Sequence, residues 1–134
     1  MNERIEGLKN DFLEELKEFL RMPSISAQAL AGDEASFREC AWWVLTKLGE
    51  AGAEARIMET DGHPVVYAEV SGSRRDSERA LLSYGHYDVQ PPEPLELWES
   101  DPFEPEIRDG VIFARGVADD KGDVMARIQA LRLY

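Results

Sequence analysis

Apolar residues recur at spacings of three and four from Ile5 to Leu20 (Ile5, Leu8, Phe12, Leu16, Phe19, Leu20), with Glu and Lys on the positions between. Such a stripe predicts an amphipathic helix over 5–20. Pro23 stops it, because the residue before a proline is pushed out of the helical region, and Ser24–Ser26 reads as an extended exit. A second helix is expected to start with Asp33 as N-cap. It turns Phe37, Cys40, Ala41, Val44, Leu45 and Leu48 inward and ends at Gly49 and Gly52. Two short strands follow, Ala53–Met58 and Pro64–Val70, with Asp61-Gly62 as the turn signal between them. The polar stretch Ser71–Arg79 reads as a hairpin loop. Ala80–Tyr84 is continuous and mostly apolar, the pattern of a strand covered on both faces.

The pattern then breaks. Residues 90–110 hold five of the seven prolines and seven acids against one base, Arg108, which predicts a long surface loop. Val111–Phe113 reads as a short strand, and a helix with Val124, Ile128 and Leu131 inward begins near Gly122. Two helices, three strands, a loop, a strand and a helix predict an α/β layer architecture, a central mixed sheet flanked by helices.

Composition removes several classes of function. The chain has 134 residues, about one small domain. With 15 basic and 27 acidic residues its formal net charge is −12, the wrong sign for displacing counterions from nucleic acid, so no nucleic-acid partner is expected. The one cysteine, Cys40, excludes an internal disulfide and a thiolate zinc cage; on the apolar face of its helix it reads as a small core residue. No apolar run approaches the ~18 residues of a membrane span, and the N-terminus lacks a signal-peptide core. A cytoplasmic location without membrane attachment is the expectation.

Two clusters carry chemistry. His86 stands where the chain leaves the Ala80–Tyr84 run, with Asp88 two residues on. In extended backbone, positions i and i+2 project to one side. Asp88 could therefore hold one imidazole nitrogen while the other binds a metal or substrate; His-x-Asp by itself is a weak signal. His63, in Asp61-Gly62-His63-Pro64, reads as an exposed loop residue. The second cluster, Ala114–Gly122, places the adjacent acids Asp119 and Asp120 between a strand and a helix, where ligands gather in α/β sheets. Either acid could instead serve as the next helix's N-cap. The spacing of a phosphate loop is absent, as is Gly-x-Ser-x-Gly. Arg115 and Lys121 read as partners of nearby carboxylates, Trp42 and Trp43 as helix packing, Trp98 as a loop anchor, and the acidic loop from Glu93 to Asp109 as solvated surface.

Taken together, Tyr84-Gly85-His86-Tyr87-Asp88-Val89-Gln90-Pro91 and Ala114–Gly122 resemble the two N-terminal signatures of the M20 family of dinuclear metallopeptidases. The intervening Trp98–Phe103 and Arg108-Asp109-Gly110 are similar to its branch of cytosolic dipeptidases related to carnosinase. Asp119 follows His86 by 33 positions, in the family's order. The resemblance runs from about Leu81 to the end. It implies that His86 ligates one metal and that Asp119 bridges two divalent ions, most simply zinc, with manganese or cobalt as alternatives. It also implies that Asp88 is the acid that orients the catalytic site, and that the Asp119–Asp120 peptide is cis. Ala114 departs from the Gly often found before the motif's Arg. The physics agrees: a bridging carboxylate can give one oxygen to each of two cations ~3.5–4 Å apart, and an imidazole cannot.

The implied reaction is attack of a metal-bound hydroxide on the carbonyl of a dipeptide or a related amide-linked amino acid, with an N-acyl-amino-acid deacylase of the same family as the alternative. The family's general base, its remaining ligands and its lid, which carries the dimer contacts of a homodimer, lie downstream of its second motif. Here Gly122 is followed by twelve residues and one acid, Asp123. Residues 1–134 are therefore expected to be the N-terminal portion of an incomplete catalytic domain, inactive alone. A non-catalytic stand-alone module is the reading from another class.

Overall fold

The computed structural model describes residues 2–27, 34–72 and 79–134. The element order is α1 (Asn2–Arg21), α2 (Glu34–Glu50), β1 (Glu54–Met58), β2 (Val65–Glu69), a single 3₁₀ turn (Leu95–Leu97), β3 (Glu106–Arg108), β4 (Val111–Phe113) and α3 (Lys121–Leu133). The α/β class is as expected. The single mixed sheet, however, is represented among the described residues by two antiparallel pairs, β1–β2 and β3–β4, and one parallel bridge between Ile25 and Val89.

The stripe on α1 is buried at Leu16, Phe19 and Leu20, while Leu8 lies at the exposed end of the helix. α2 buries Phe37, Cys40, Ala41 and Val44, and after Glu50 its last turn is closed by bonds from Gly52 N–H to Gly49 and from Ala53 N–H to Leu48. The expected cap Asp33 lies outside the described residues, as does most of the Ser71–Arg79 loop. Two adjoining apolar clusters form the core. Leu16, Leu20, Ala114 and Met125 make one, and Phe19, Cys40 and Val44 the other. Trp43 packs against both and stacks on Phe19 with ring centroids 4.6 Å apart. Trp42, by contrast, is 59% exposed; one helical step carries it off the packed face, which corrects its reading as a packing residue.

β1 and β2 pair from Glu54↔Glu69 to Met58↔Val65 and lean their half-buried residues on α2. The six-residue connection between them is organised by Thr60, whose hydroxyl donates to the His63 carbonyl (2.8 Å) and accepts from Gly62 N–H (3.0 Å). His63 is not the exposed loop residue expected: it stacks on Phe37 at 4.3 Å.

Two further expectations are corrected. Ala80–Tyr84 forms no strand, and Leu81 and Leu82 are 97% and 90% exposed. An extended segment must borrow its hydrogen bonds from a neighbour, and no described strand lies beside it. Conversely, residues 90–110 are not simply loop. β3 pairs with β4 through Asp109 (φ 51°) and Gly110 (φ 81°), the two left-handed residues of a tight hairpin turn. Pro92, Pro102 and Pro105 are buried, and Trp98 anchors the segment by donating to the Pro92 carbonyl (2.8 Å).

Candidate metal centre

The stretch His86–Val89 is laid against the exit of α1. Ser24 donates its hydroxyl to the Tyr87 carbonyl (2.6 Å), and Val89 N–H donates to the Ser24 carbonyl (2.8 Å). Alternation does the rest. Tyr87 turns inward against Phe37 and donates to the Pro64 carbonyl, and Val89 is buried. His86 and Asp88 are left on the other side.

The imidazole is held at both nitrogens. Nδ1 lies 3.2 Å from the Asp88 carbonyl oxygen and 3.2 Å from its carboxylate Oδ1. Nε2 lies 2.9 Å from Asp119 Oδ1. Partial burial works against the imidazolium, but the Asp88 carbonyl and the charges of Asp88 and Asp119 outweigh it and raise the His86 pKa. Asp119 is 79% exposed, and the peptide that joins it to Asp120 is cis. The three residues singled out from the sequence are therefore linked through the His86 ring, Asp88 at Nδ1 and Asp119 at Nε2.

Asp120 occupies the N-cap position of α3 without capping it. Its carboxylate instead accepts from His86 N–H (3.2 Å) and from Arg127 Nη1 (3.1 Å). Lys121 is fully buried and donates to the carbonyls of Phe19 (2.9 Å) and Met22 (2.6 Å) at the C-terminus of α1, with its ammonium 4.9 Å from the Phe19 ring centre. Burial depresses its pKa. Arg115 donates to the Pro91 carbonyl (3.1 Å) beside the Trp98 ring. Among the described residues neither cation has the carboxylate partner expected of it; helix-end and loop carbonyls supply the acceptors. No sequence signal marked these contacts, whose partners lie up to 102 positions away.

The donors suit a metal in kind. Imidazole and carboxylate are ligands that zinc takes, and the second nitrogen of a ligating histidine is ordinarily fixed by an oxygen, as Asp88 fixes Nδ1 here. Among the described residues no group of three His, Cys, Asp or Glu side chains converges. What is present fits one corner of a centre and not a closed cage. The groove between Pro23, Trp98 and Phe103 is lined by none of these residues.

Comparison with known proteins bears on the family and the fold. Residues 82–134 match the model of peptidase family M20/M25/M40. Over 90 residues, 67% of this chain and 22% of the relative, the sequence is 60% identical to succinyl-diaminopimelate desuccinylase of Xanthomonas oryzae pv. oryzae (strain PXO99A). The fold is similar to that of an M20 family metallo-carboxypeptidase, Sso-CP2 of Sulfolobus solfataricus. The TM-score is 0.79 at 39% identity, covering 91% of this chain and 26% of that one. It is also similar to human carnosine dipeptidase 1, with a TM-score of 0.80 at 26% identity, covering 97% of this chain and 29% of that one. The chain thus spans between a fifth and a third of these proteins. Among the described residues no helix is long and apolar enough to cross a membrane.

Proposed function

The chain belongs to the M20 peptidase family, and from that premise we propose that it is the N-terminal, metal-ligating portion of the catalytic domain of a hydrolase acting on dipeptides or related amide-linked amino acids. The observation that carries this is the meeting of His86 Nε2 with Asp119 Oδ1 at 2.9 Å, with Asp88 behind Nδ1. His86 would ligate one divalent ion, and Asp119 would share its two oxygens between that ion and a second, both zinc. Bound there, such ions supply a water of near-neutral pKa and polarise the scissile carbonyl. Asp88 keeps the Nδ1 proton and so directs the lone pair of Nε2 outward. Similarity to a carnosine dipeptidase over 97% of the chain supports the dipeptide reading. The 60% identity to a desuccinylase supports N-acyl amino acids as the second. A cytoplasmic homodimer is the setting proposed for the whole protein.

Calorimetric zinc titration of the chain and of its His86→Ala and Asp119→Ala variants tests the assignment. Weak uptake by the unaltered chain that both substitutions abolish is expected, without dipeptide hydrolysis, since His86 and Asp119 are engaged as ligands and neither is left free to act as general base. Uptake unchanged in either variant overturns the ligand assignment, and turnover by the chain overturns the reading of an incomplete centre.

A further inference from the structure

Two consecutive acids grip His86 at two points. Asp119 faces its ring, and Asp120 takes its main chain, Oδ2 accepting the His86 N–H at 3.2 Å. The two carboxylates live in different surroundings: the Asp119 side chain is 79% exposed and that of Asp120 15%. The same Oδ2 of Asp120 receives Arg127 Nη1 at 3.1 Å, and Arg127 also reaches toward Asp123 (3.7 Å). Helix capping does not account for this carboxylate, which makes no capping bond. Space has been left for it as well. A Cβ at position 85 would lie 2.8 Å from Asp120 Oδ2, 2.8 Å from Arg127 Nη1 and 2.7 Å from Val124 Cγ2, so any larger residue there would push these side chains away from the His86 main chain.

We infer that Asp120, braced by Arg127, is a positioning residue that anchors the His86 main chain to the start of α3 and thereby aims the imidazole at Asp119. A charge-assisted bond in a mostly enclosed place is stronger than its exposed counterpart. Both ends of the His86–Asp119 contact are then tied to one helix start. The inference rests on the metal-ligand reading of His86 and Asp119 for its consequence, although the anchor involves only this chain's own groups.

The test uses the 134-residue chain with ¹⁵N-labelled histidine, metal-free and under zinc titration, in Asp120→Ala, Asp120→Asn and Arg127→Gln. Asp120→Ala is expected to move the His86 ring and amide resonances and to weaken zinc uptake about tenfold, the usual cost of losing an outer-shell partner. Asp120→Asn, which keeps an acceptor for the N–H, restores most of both. Arg127→Gln shifts the same resonances by less. A folded Asp120→Ala variant with unmoved His86 resonances and unchanged zinc uptake overturns the inference. If that variant does not fold, unmoved resonances in Arg127→Gln overturn it instead. If the unaltered chain takes up no zinc, the proposed function fails, and the His86 resonances still decide the anchor.

Discussion

Helix α1 and the segment Ala80–Tyr84 are both rich in apolar side chains, yet one is closed into the core and the other lies open. Phe19 and Leu20 are fully buried, and Lys121 seals the end of their helix. Leu81 and Leu82 are almost wholly exposed. A helix satisfies its own backbone and needs only a face to bury, whereas an extended segment needs a neighbour's backbone first. His86 hangs at the far end of that open stem and is held in place by Ser24, Val89 and Asp120. Stability should therefore reside in the helical end and the proposed ligation at the stem's tip, so the two should respond to different substitutions.

Phe19→Ala is the strongest blow to the helical end. It empties the stack with Trp43 and should lower unfolding free energy by about 3–5 kcal/mol in urea titration; a loss below about 1 kcal/mol would break the contrast between the two regions. Lys121→Met keeps the volume but strips the carbonyls of Phe19 and Met22 of their donor, with an expected loss of about 2 kcal/mol.

Glu15 sharpens the contrast by pH. Its carboxylate accepts from Lys47 (2.9 Å), Gln129 (2.8 Å) and Arg132, tying all three helices together. Burial would raise its pKa, but the bonds to Arg132 and Lys47 prevail and hold it below the ordinary 4.5. A folded pKa below the unfolded one gives stability that is fully present above the unfolded value and lost as pH falls through the folded one. Glu15→Gln should thus cost about 1 kcal/mol at neutral pH, and the gap from the unaltered chain should close on acidification below 4.5. A gap that stays constant with pH would remove the ion pairs from the account. Smallest of all in stability is Asp119→Ala, which should change it by less than about 0.5 kcal/mol because the side chain is exposed, while abolishing zinc uptake. A large loss of stability there would merge the two regions that the structure separates.

Local patterns were legible and distant acceptors were not. The stripes of α1 and α2 carry their own period, and His86-x-Asp88 follows from strand alternation, so those residues could be placed from spacing alone. Ala80–Tyr84 misled because an apolar run specifies burial without saying what will cover it. β3 was hidden inside a proline- and acid-rich stretch, although Asp109-Gly110 is the same turn signal that was read at Asp61-Gly62. There the signal was weaker than it looked: neither of those residues has positive φ, and Thr60 makes the turn. Lys121 and Asp120 sit within the second motif, but their partners, carbonyls at the end of α1 and the main chain of His86, lie 34 to 102 positions away. Nothing in a linear pattern announces a partner at that range.

Cys40 makes the helical core readable from outside. Its thiol is fully enclosed beside Phe19 and Val44, and burial raises its pKa, so an alkylating reagent must wait for the core to open. As the chain has no other cysteine, the labelling rate of a single sulfur reports how often α1 and α2 part. The same clock, run with and without zinc, measures whether ligation at His86 is felt across the protein's interior.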